Sequence, residues 1–590
     1  MHRVRARMTM AITALLIAGL LLPAGVWGGP RSELVVVSGM WSPPNNFSPI
    51  NTDSAYGYYA VRFMFLPLLE SRLEENQLKF YPALASKWEV GADFQTFTFT
   101  IHPRAAWHDG RPVTADDVLF TVMTISDPRT ETNRGNAVAL VAGLDARGKR
   151  PPGAQIGFRI LGPRQFEVRT RTSVDPQAFL YEFGSNMYII PRHVLGDVPP
   201  DQLSRHPFMQ NPTVGNGPYK FVQYKTDQYV ELLVNEHYHL GAPKLRRLFV
   251  RIIPPTVMMA QIERGDMDLT AGAGIGSILI DDWDRVKTIP HVRALSFPLP
   301  GYQFVVFNFQ RAYLEKRVRR AVAHAINRPL IINQLLRGEA ALAEGPIPPT
   351  MPYYHKDVKP WAYDPARARS LLQEAGWDAG RTLLLRVPTG NIIRERSADI
   401  IRENLVAVGI RVEIQKTDFP THLAAIRAGN YDLALVGWSG SPDPDVSSQF
   451  RTGAVYNWLG AMSIPLMDQL LDEGKATPDP AKRRQIYNRF QEVFADELPY
   501  VVLYYENARN VIARRMSNVL HDVSGFYQFQ TYSWVAAPQK EPPERRRVRA
   551  AAPLHPTGRI RPEVCGEPRD GRPLCRPGRP VRGAPGSGAH

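Results

Sequence analysis

Short apolar strands alternate with amphipathic helices along the second half of this chain, and the alternation restricts it to mixed α/β lobes. One helix is indicated by apolar residues at helical spacing before Pro329, namely Val318, Ala321, Val322, Ala325 and Ile326. Two more are predicted at Asp364-Pro365 and Asp479-Pro480, where a capping side chain precedes a proline in the first turn. The predicted strands between these helices are Phe304–Phe309, Leu383–Val387, Val412–Gln415 and Tyr431–Val436.

The last of these strands leads into the segment where we expect a ligand to bind. Tyr431–Val436 is a continuous apolar run that suits a strand buried on both faces, and Gly437 is predicted to end it. Trp438, Ser439 and an Asp-Pro-Asp turn that contains Asp443 come next. Because ligands of α/β proteins bind outside the carboxyl ends of strands, these side chains stand at a suitable place.

The N-terminus predicts an exported protein. Three arginines, Arg3, Arg5 and Arg7, precede an apolar run from Ala11 to Leu22. This run is shorter than the ~20 residues that span a bilayer, so we expect residues 1–28 to be a cleaved signal peptide. Since no cysteine near the cleavage site could carry a lipid anchor, the predicted location is the periplasm, with the protein free of the membrane.

Length and charge narrow the class of protein further. At 590 residues the chain exceeds what one hydrophobic core usually supports, so several domains are expected. Much of the formal net charge of +15 lies in the signal peptide and in residues 538–590, a Pro/Arg-rich tail that also holds Cys565 and Cys575. We interpret this tail as disordered. The remaining body has no basic stripe with interleaved aromatic residues, which argues against a nucleic-acid partner.

The first half of the chain is also predicted to contain both strands and helices. A strand is predicted at Glu33–Ser38, a helix at Tyr56–Leu69, and a half-buried strand at Gln95–His102, where apolar residues alternate with threonines. Thr114 is predicted to cap a helix with acidic residues in its first turn. The nearby His108-Asp109 pair is interpreted as part of a turn, because adjacent residues in a tight turn rarely align as catalytic base and orienting group.

Six short motifs occur in a fixed order along the chain. They are Asp109–Val118, Pro212–Tyr219, Asn235–Leu245, Gly265–Asp268, Val318–Arg328 and Tyr363–Trp377. Their residue patterns and their order along the chain resemble the signature of the family 5 solute-binding proteins of ABC transporters, the peptide and nickel type. The resemblance extends over residues 33–534, and six motifs in sequence are far more specific than any one of them.

This resemblance implies an α/β fold of the two-lobed periplasmic-binding-protein type (type II, class C), with a hinge and an extra inserted domain. The implied parts are a first lobe of residues 33–73, 208–296 and 505–534, an inserted domain of residues 74–207, and a second lobe of residues 297–504. Strands near Leu299–Phe304 and Val501–Tyr505 would form the hinge.

The resemblance also implies the function. The protein would be the exported substrate-binding subunit of an ABC importer, a monomer without catalytic activity or cofactor. It would capture a peptide or another small solute between its lobes and deliver it to a permease and ATPase complex at the inner membrane. The side chains expected in the cleft are Met40, Trp41, Asn46, Trp438, Ser439 and Asp443.

Two ionic anchors of the dipeptide-type members are missing from the matching positions. Those members hold the ligand's amino group with an aspartate three residues after the tryptophan that corresponds to Trp438, where this chain has Ser441. They also place an arginine just before the helix that starts near Glu395, but residues 387–391 contain none. Asp443 or Asp445 could replace the aspartate or could form an ordinary turn. The resemblance therefore favours an oligopeptide over a dipeptide.

Three other functions stay open. Gly437–Ser441 is similar to the G-x-S-x-G motif of serine hydrolases, but Ser441 replaces the final glycine and Pro442 disfavours a following helix. A non-peptide solute such as an oligosaccharide, an opine-like conjugate or a metal chelate would use the same cleft, as would a chemoreceptor-linked sensor. His237 and His239, predicted on one strand, lack a third ligand, so no metal site is expected.

Overall fold

The computed structural model describes residues 35–522 except 53, 273, 360, 442 and 455, together with residues 525–527 and 533–534. The predicted signal peptide and the predicted tail with Cys565 and Cys575 lie outside the described residues. Within this part of the chain, no helix has both the length and the apolar composition needed to cross a membrane.

The strands have the following bounds. In chain order they are β1 (Val35–Met40), β2 (Leu69–Glu74), β3 (Gln77–Pro82), β4 (Ala85–Val90), β5 (Thr96–Ile101), β6 (Phe158–Gly162), β7 (Gln165–Arg169), β8 (Tyr219–Lys225), β9 (Tyr229–Val234), β10 (Arg247–Ile252), β11 (Leu269–Thr270), β12 (Val292–Pro298), β13 (Tyr302–Phe307), β14 (Ala340–Leu342), β15 (Thr382–Pro388), β16 (Arg411–Thr417), β17 (Leu433–Trp438), β18 (Tyr500–Ala513), β19 (Met516–Ser517), β20 (Leu520–Asp522), β21 (Gly525–Tyr527) and β22 (Ser533–Trp534).

The helices lie between these strands. In chain order they are α1 (Ala55–Met64), α2 (Ala115–Ser126), α3 (Gly135–Val138), α4 (Pro176–Phe179), α5 (Arg192–Leu195), α6 (Pro255–Glu263), α7 (Trp283–Lys287), α8 (Lys316–Ala325), α9 (Arg328–Leu330), α10 (Pro365–Glu374), α11 (Ile392–Ala407), α12 (Phe419–Arg427), α13 (Ser447–Phe450), α14 (Pro465–Ala476) and α15 (Pro480–Glu497). Wider π-helical turns occur at Leu180–Ser185 and Ile331–Leu335, and tighter 3₁₀ turns at Leu203–Arg205, Pro207–Met209 and Ile280–Asp282.

Most of the strands join one large sheet, in the order β16-β15-β17-β13-β18-β11-β1-β10-β9-β8, with β12 and β14 also paired to β18. We call the part with β1 and β8–β12 the first lobe and the part with β13–β17 the second lobe. Strand β18 belongs to both. Its residues 500–506 pair with β13 and β14, and its residues 507–513 pair with β12 and β11.

A third body, the inserted domain, is built on the antiparallel sheet β4-β5-β7-β6 and helix α2. The alternation predicted for β5 is confirmed, because its Phe97, Phe99 and Ile101 are buried while the threonines are half-buried. Thr114 occupies the N-cap position of α2, as predicted, and its backbone N–H donates to the carboxylate of Asp117 in the first turn at 2.9 Å, one half of a capping box. The apolar core of this domain continues into that of the first lobe.

His108 joins the inserted domain to the first lobe. Its Nδ1 accepts a hydrogen bond from the Gly215 backbone N–H at 3.0 Å, and its Nε2 donates to the Gly217 carbonyl at 3.1 Å. Burial lowers the pKa of His108 to about 4, so the imidazole is neutral at pH 7. His108 therefore has a structural role, as the interpretation of His108-Asp109 as a turn requires.

The second lobe forms around the parallel strands β15, β16 and β17. Both predicted cap-plus-proline helix starts are confirmed. The Asp364 carboxylate accepts from the Arg367 N–H at 2.9 Å, and the Asp479 carboxylate accepts from the Lys482 N–H at 2.8 Å. Residues 433–436 of β17 are buried, as predicted for a strand covered on both faces.

Three details of the predicted elements are wrong. Gly437 does not end β17, because it pairs with Gln303 of β13 and the strand continues to Trp438. Helix α1 stops at Met64, whose carbonyl accepts from the Asn216 and Gly217 backbone N–H groups, and Leu69 belongs to a hairpin with β3. His237 and His239 follow β9 in a loop rather than lying on one strand.

The core of the second lobe allows a stability prediction. Phe304 is fully buried and its ring stacks on Tyr500 with the centroids 4.2 Å apart. Replacing Phe304 by Ala should lower the free energy of unfolding by about 3–5 kcal/mol, because it removes buried area and leaves a cavity. Urea denaturation measures this change. The matched control is Phe419→Ala at a 46 % exposed position, where a change within about 0.5 kcal/mol is expected; equal losses in both variants would contradict the packing described.

Candidate ligand-binding cleft

The segment after β17 rests on the link between the two lobes. Residues 299–301 connect β12 to β13, and the Leu299 N–H donates to the Glu506 carbonyl of β18 at 2.9 Å. A Cβ atom on Gly440 would lie 1.7 Å from the Pro300 carbonyl oxygen, and one on Gly301 would lie 2.4 Å from the Trp438 carbonyl oxygen. Glycine is therefore required at both positions. The strand end predicted to bind a ligand lies at the boundary between the lobes.

The first turn of α11 lies at the same boundary. Ile393 packs against the apolar cluster of the second lobe and also against a cluster of the first lobe. Arg396 forms an ion pair with Asp281 of the first lobe at 3.3 Å. The residue between them in this turn, Arg394, is thereby held where the two lobes meet.

Arg394 is a half-buried cation at this boundary. Its Nε donates to the Gln303 side-chain oxygen at 2.8 Å, and its Nη2 lies 2.6 Å from where a Cβ atom on Gly437 would be. Desolvation lowers the pKa of Arg394. Among the described residues, no carboxylate lies within the ion-pair distance of 4.0 Å from its guanidinium. A guanidinium in this state is suited to binding an anionic group of a ligand.

A buried ion pair connects the inserted domain to the second lobe. The Arg483 guanidinium of α15 donates to Asp175 at 2.8 Å and forms two hydrogen bonds to Asp443, at 3.0 and 3.1 Å. The Asp175 carboxylate also accepts from the Tyr353 hydroxyl at 3.2 Å. The side chains of Arg483 and Asp175 are only 4 % and 3 % exposed. Burial opposes the charged form of Arg483, yet Asp443, Tyr487 and Asp175 hold its pKa above the usual value.

This ion pair changes the role expected for the Asp-Pro-Asp turn. Asp443, predicted to bind the ligand, already has its charge compensated by Arg483. Asp445 accepts from the Ser447 N–H at 2.9 Å and lies 3.6 Å from Lys475. Both carboxylates are thus occupied by groups of the protein itself, which corresponds to the ordinary turn left open by the sequence.

A further carboxyl group, that of Glu182, lies close to this turn. Glu182 belongs to the π-helical turn that follows α4 in the inserted domain, and it is half-buried. Desolvation raises its pKa to about 7, and the negative charges of Asp443 and Asp445 add to this effect. The adjacent Tyr181, whose pKa burial raises, is close enough to Ser441 of the second lobe for that side chain to oppose the shift. The inserted domain and the segment after β17 therefore face each other here.

The other side chains expected in the cleft have different surroundings. Met40 is fully buried in the first-lobe core, so its side chain packs the core and offers no surface to a ligand. Trp41 is half-buried, and its indole N–H has no acceptor among the described residues. The Asn46 side-chain oxygen accepts from the Ser48 N–H at 2.9 Å. Trp438 is half-buried and lies against Tyr456 with the ring centroids 5.2 Å apart, and Ser439, which follows it, is exposed.

Sequence reasoning missed Arg394, Arg483, Asp175 and Glu182. The expected arginine was sought in residues 387–391, whereas Arg394 lies in the first turn of the helix that Asn391 caps. The sequence signal that could have identified Arg394 is its place in the first turn of this helix, three residues after the capping Asn391. Asp175 and Arg483 are 308 residues apart, and no local pattern links them.

The histidines give no indication of a metal centre. The His239 Nε2 is hydrogen-bonded to the Ala83 carbonyl at 2.7 Å, and burial lowers the pKa of this residue to about 4. Throughout the described part of the chain, no group of three or more histidine, cysteine, aspartate or glutamate side chains is arranged to hold a metal ion.

Comparison with known proteins gives consistent results. Residues 79–457 match the model of bacterial extracellular solute-binding proteins, family 5 Middle. The oligopeptide-binding protein AppA of Bacillus subtilis is 25 % identical over 454 residues, which cover 73 % of this chain and 79 % of AppA.

Solved structures of similar proteins share the fold. AppA from Bacillus subtilis in complex with a nonapeptide superposes with a TM-score of 0.71 at 22 % identity, covering 85 % of this chain and 99 % of AppA. The ABC transporter substrate-binding protein CtaP from Listeria monocytogenes gives 0.75 at 25 % identity, covering 85 % and 99 %. NikZ from Campylobacter jejuni in complex with Ni(L-His) gives 0.70 at 22 % identity, covering 85 % and 100 %.

The Arg483–Asp175 contact predicts how the lobes respond when it is broken. Asp175→Asn should retain the cap of α4, whose Gln177 N–H donates to this side chain, but should remove the negative charge that faces Arg483. A lost charge-assisted hydrogen bond costs about 1.5–3 kcal/mol. We expect a lower melting temperature and, by small-angle X-ray scattering, a larger radius of gyration without ligand.

The matched control is Asp116→Asn, a 52 % exposed carboxylate of the same domain. It should leave both quantities unchanged. If Asp175→Asn also left both unchanged, the contact would not hold the inserted domain against the second lobe.

Proposed function

Because the chain belongs to family 5 of the bacterial extracellular solute-binding proteins, we propose that it captures a peptide between its lobes and delivers it to the permease and ATPase complex of an ABC importer. An oligopeptide fits better than a dipeptide, since the residue at 441 is a serine. The protein acts as a periplasmic monomer after removal of residues 1–28, and it has no catalytic activity. The domain boundaries implied by the sequence resemblance are part of this proposal.

The observation that carries the proposal is the guanidinium of Arg394 at the lobe boundary, which has no carboxylate within 4.0 Å among the described residues and only the more distant Glu506 carboxylate to offset its desolvation. A peptide has a carboxylate at its C-terminus, and a carboxylate forms short, charge-assisted hydrogen bonds with arginine. The half-buried position strengthens this attraction relative to one in water. The indole N–H of Trp41 is a second donor at the boundary, since Trp41 and Ile393 pack against the same apolar cluster.

The remaining cleft residues have supporting roles in this proposal. Trp438 and its neighbour Tyr456 offer aromatic surface for apolar side chains of the ligand, while Ser439 and Asn46 offer hydrogen bonds to its polar groups. The relative AppA supports this assignment at the level of ligand class, because its name describes an oligopeptide-binding protein.

A ligand screen tests the proposed class. The probes are a randomised hexapeptide pool without ionisable side chains, a dipeptide pool, an oligosaccharide mixture and Ni(L-His). At 100 times Kd, the true ligand class should add about 2.7 kcal/mol to the stability of the folded protein. We expect the hexapeptide pool to raise the melting temperature most. Stabilisation by sugars or by the nickel chelate alone would overturn the peptide assignment.

The role of Arg394 is tested by removing either charge of the proposed pair. Amidating the C-terminus of the hexapeptide pool should weaken binding to the natural protein about tenfold or more, and Arg394→Gln should abolish this preference for the free carboxylate. Arg402→Gln, a 44 % exposed arginine on the same helix, is the matched control. A preference unchanged in Arg394→Gln would show that the carboxylate binds elsewhere.

The hydrolase alternative has a direct test. Any peptidase or esterase activity of the purified protein should be the same in Ser439→Ala, because Ser439 is assigned here to binding. Activity that disappears in this variant would favour a catalytic function, whereas activity that persists comes from another residue or a contaminant.

A further inference from the structure

We propose that Glu182 binds the ammonium group at the N-terminus of the ligand and so replaces, from the opposite side of the cleft, the carboxylate that is absent at Ser441. The proposal rests on the proposed function and adds which group of the peptide is recognised and by which domain. Its starting point is the position of Glu182, whose turn follows the Asp175 cap of α4, because Asp175 shares the Arg483 guanidinium with Asp443, two residues after Ser441.

The turn that carries Glu182 is fixed against the second lobe by neighbouring contacts. Asp175 caps α4 directly before this turn, and its other carboxylate oxygen binds Arg483 of the second lobe at 2.8 Å. The same Arg483 guanidinium binds Asp443, two residues after Ser441, at 3.0 and 3.1 Å. Through this shared arginine, the turn with Glu182 is held beside the segment that contains Ser441.

Among the carboxylates around this position, Glu182 has no cationic partner in the described structure. Asp443 and Asp175 share Arg483, and Asp445 lies 3.6 Å from Lys475. Glu182 instead accepts one long hydrogen bond, 3.4 Å, from the Asn186 side chain. The charged groups that act on it are Asp443 and Asp445 from the second lobe and Arg134 from the inserted domain. Arg134 lies over the Tyr58 ring, 4.8 Å from its centroid.

The position of Arg394 is an independent observation that indicates which ligand would bind beside Glu182. Arg394, the uncompensated cation, lies against Gly437, four residues before Ser441. Four residues of extended chain span at most about 14 Å. The stretch from Gly437 to Ser441 therefore has Arg394, without a carboxylate within ion-pair distance, near its first residue and Glu182, without a cationic partner, near its last. A peptide with free termini carries the complementary pair of charges.

The arrangement makes recognition of the peptide depend on closure. Arg394 belongs to the second lobe and Glu182 to the inserted domain, whose core is continuous with the first lobe. A ligand that holds both charges therefore stabilises the arrangement in which these bodies are in contact. A ligand lacking one terminal charge leaves Arg394 or Glu182 desolvated without compensation, which reduces affinity.

The experiment compares the free and N-acetylated hexapeptide pools on the natural protein and on Glu182→Gln, by titration calorimetry. The natural protein should bind the free-amine pool about tenfold or more tightly, and Glu182→Gln should bind both pools equally, at the affinity of the natural protein for the acetylated pool. The control Glu131→Gln, an exposed carboxylate of the same domain, should keep the full preference.

A pH series provides a second readout. Binding a cation favours the ionised carboxyl, so affinity for the free-amine pool should rise as the pH increases toward about 7, the pKa of Glu182 without ligand, and should fall again above about 8, where the peptide α-amino group loses its proton. This step should be absent in Glu182→Gln and with the acetylated pool. Arg394→Gln should retain both the step and the discrimination against acetylation, because it removes the other anchor.

The outcomes separate this inference from the proposed function. If neither peptide pool binds the natural protein, the peptide assignment fails and the role of Glu182 fails with it. If the pools bind and Glu182→Gln still discriminates against acetylation, Glu182 is not the ammonium partner, while the peptide assignment stands. Melting temperatures confirm that the variants are folded.

Discussion

The structure depends on the backbone pairing of strand β18, whose fourteen residues contribute to the sheets of both lobes. Its first half is hydrogen-bonded to β13 and β14 and its second half to β12 and β11. These backbone hydrogen bonds fix the register of β18 against the strands of both lobes. A change of register would leave buried N–H and C=O groups without partners, so it is unfavourable. Besides β18, residues 299–301 connect strands of the two lobes. The segment after β17 packs directly against this connection, so it lies at the boundary between the lobes.

Charge compensation distinguishes the structural from the binding groups at this boundary. Arg483 is almost fully buried and tolerates burial because two carboxylates share its charge. Arg394 and Glu182 are enclosed without such partners in the described structure, and desolvation shifts the pKa of each toward its neutral form. Free energy is recovered when a ligand supplies the missing charges. The same physical cost that makes these groups unfavourable in the empty protein therefore makes them selective for a complementary ligand.

Local sequence patterns predicted those elements whose formation depends on local contacts. The helices that begin at Pro365 and Pro480 were predictable because an aspartate caps each of them through its own side chain. Strand β5 was predictable because its alternating burial follows from the two faces of one sheet. The errors occurred where partners distant in sequence decided the outcome. Gly437 stays in β17 because Gln303 pairs with it, and α1 ends early because the Met64 carbonyl binds the N–H groups of Asn216 and Gly217.

The sequence by itself determined the α/β class and the order of motifs that identifies the family, and it predicted that the segment from Tyr431 to Asp445 lines the cleft. It also showed that the carboxylate expected at 441 is absent. Only the tertiary structure decided which charges are available, because that depends on distances between residues far apart in the chain. It pairs Asp443 with Arg483 and brings Glu182 to the face opposite Ser441. Spacing along a sequence sets local geometry, whereas compensation of a buried charge is settled by whichever partner the fold places within about 4 Å.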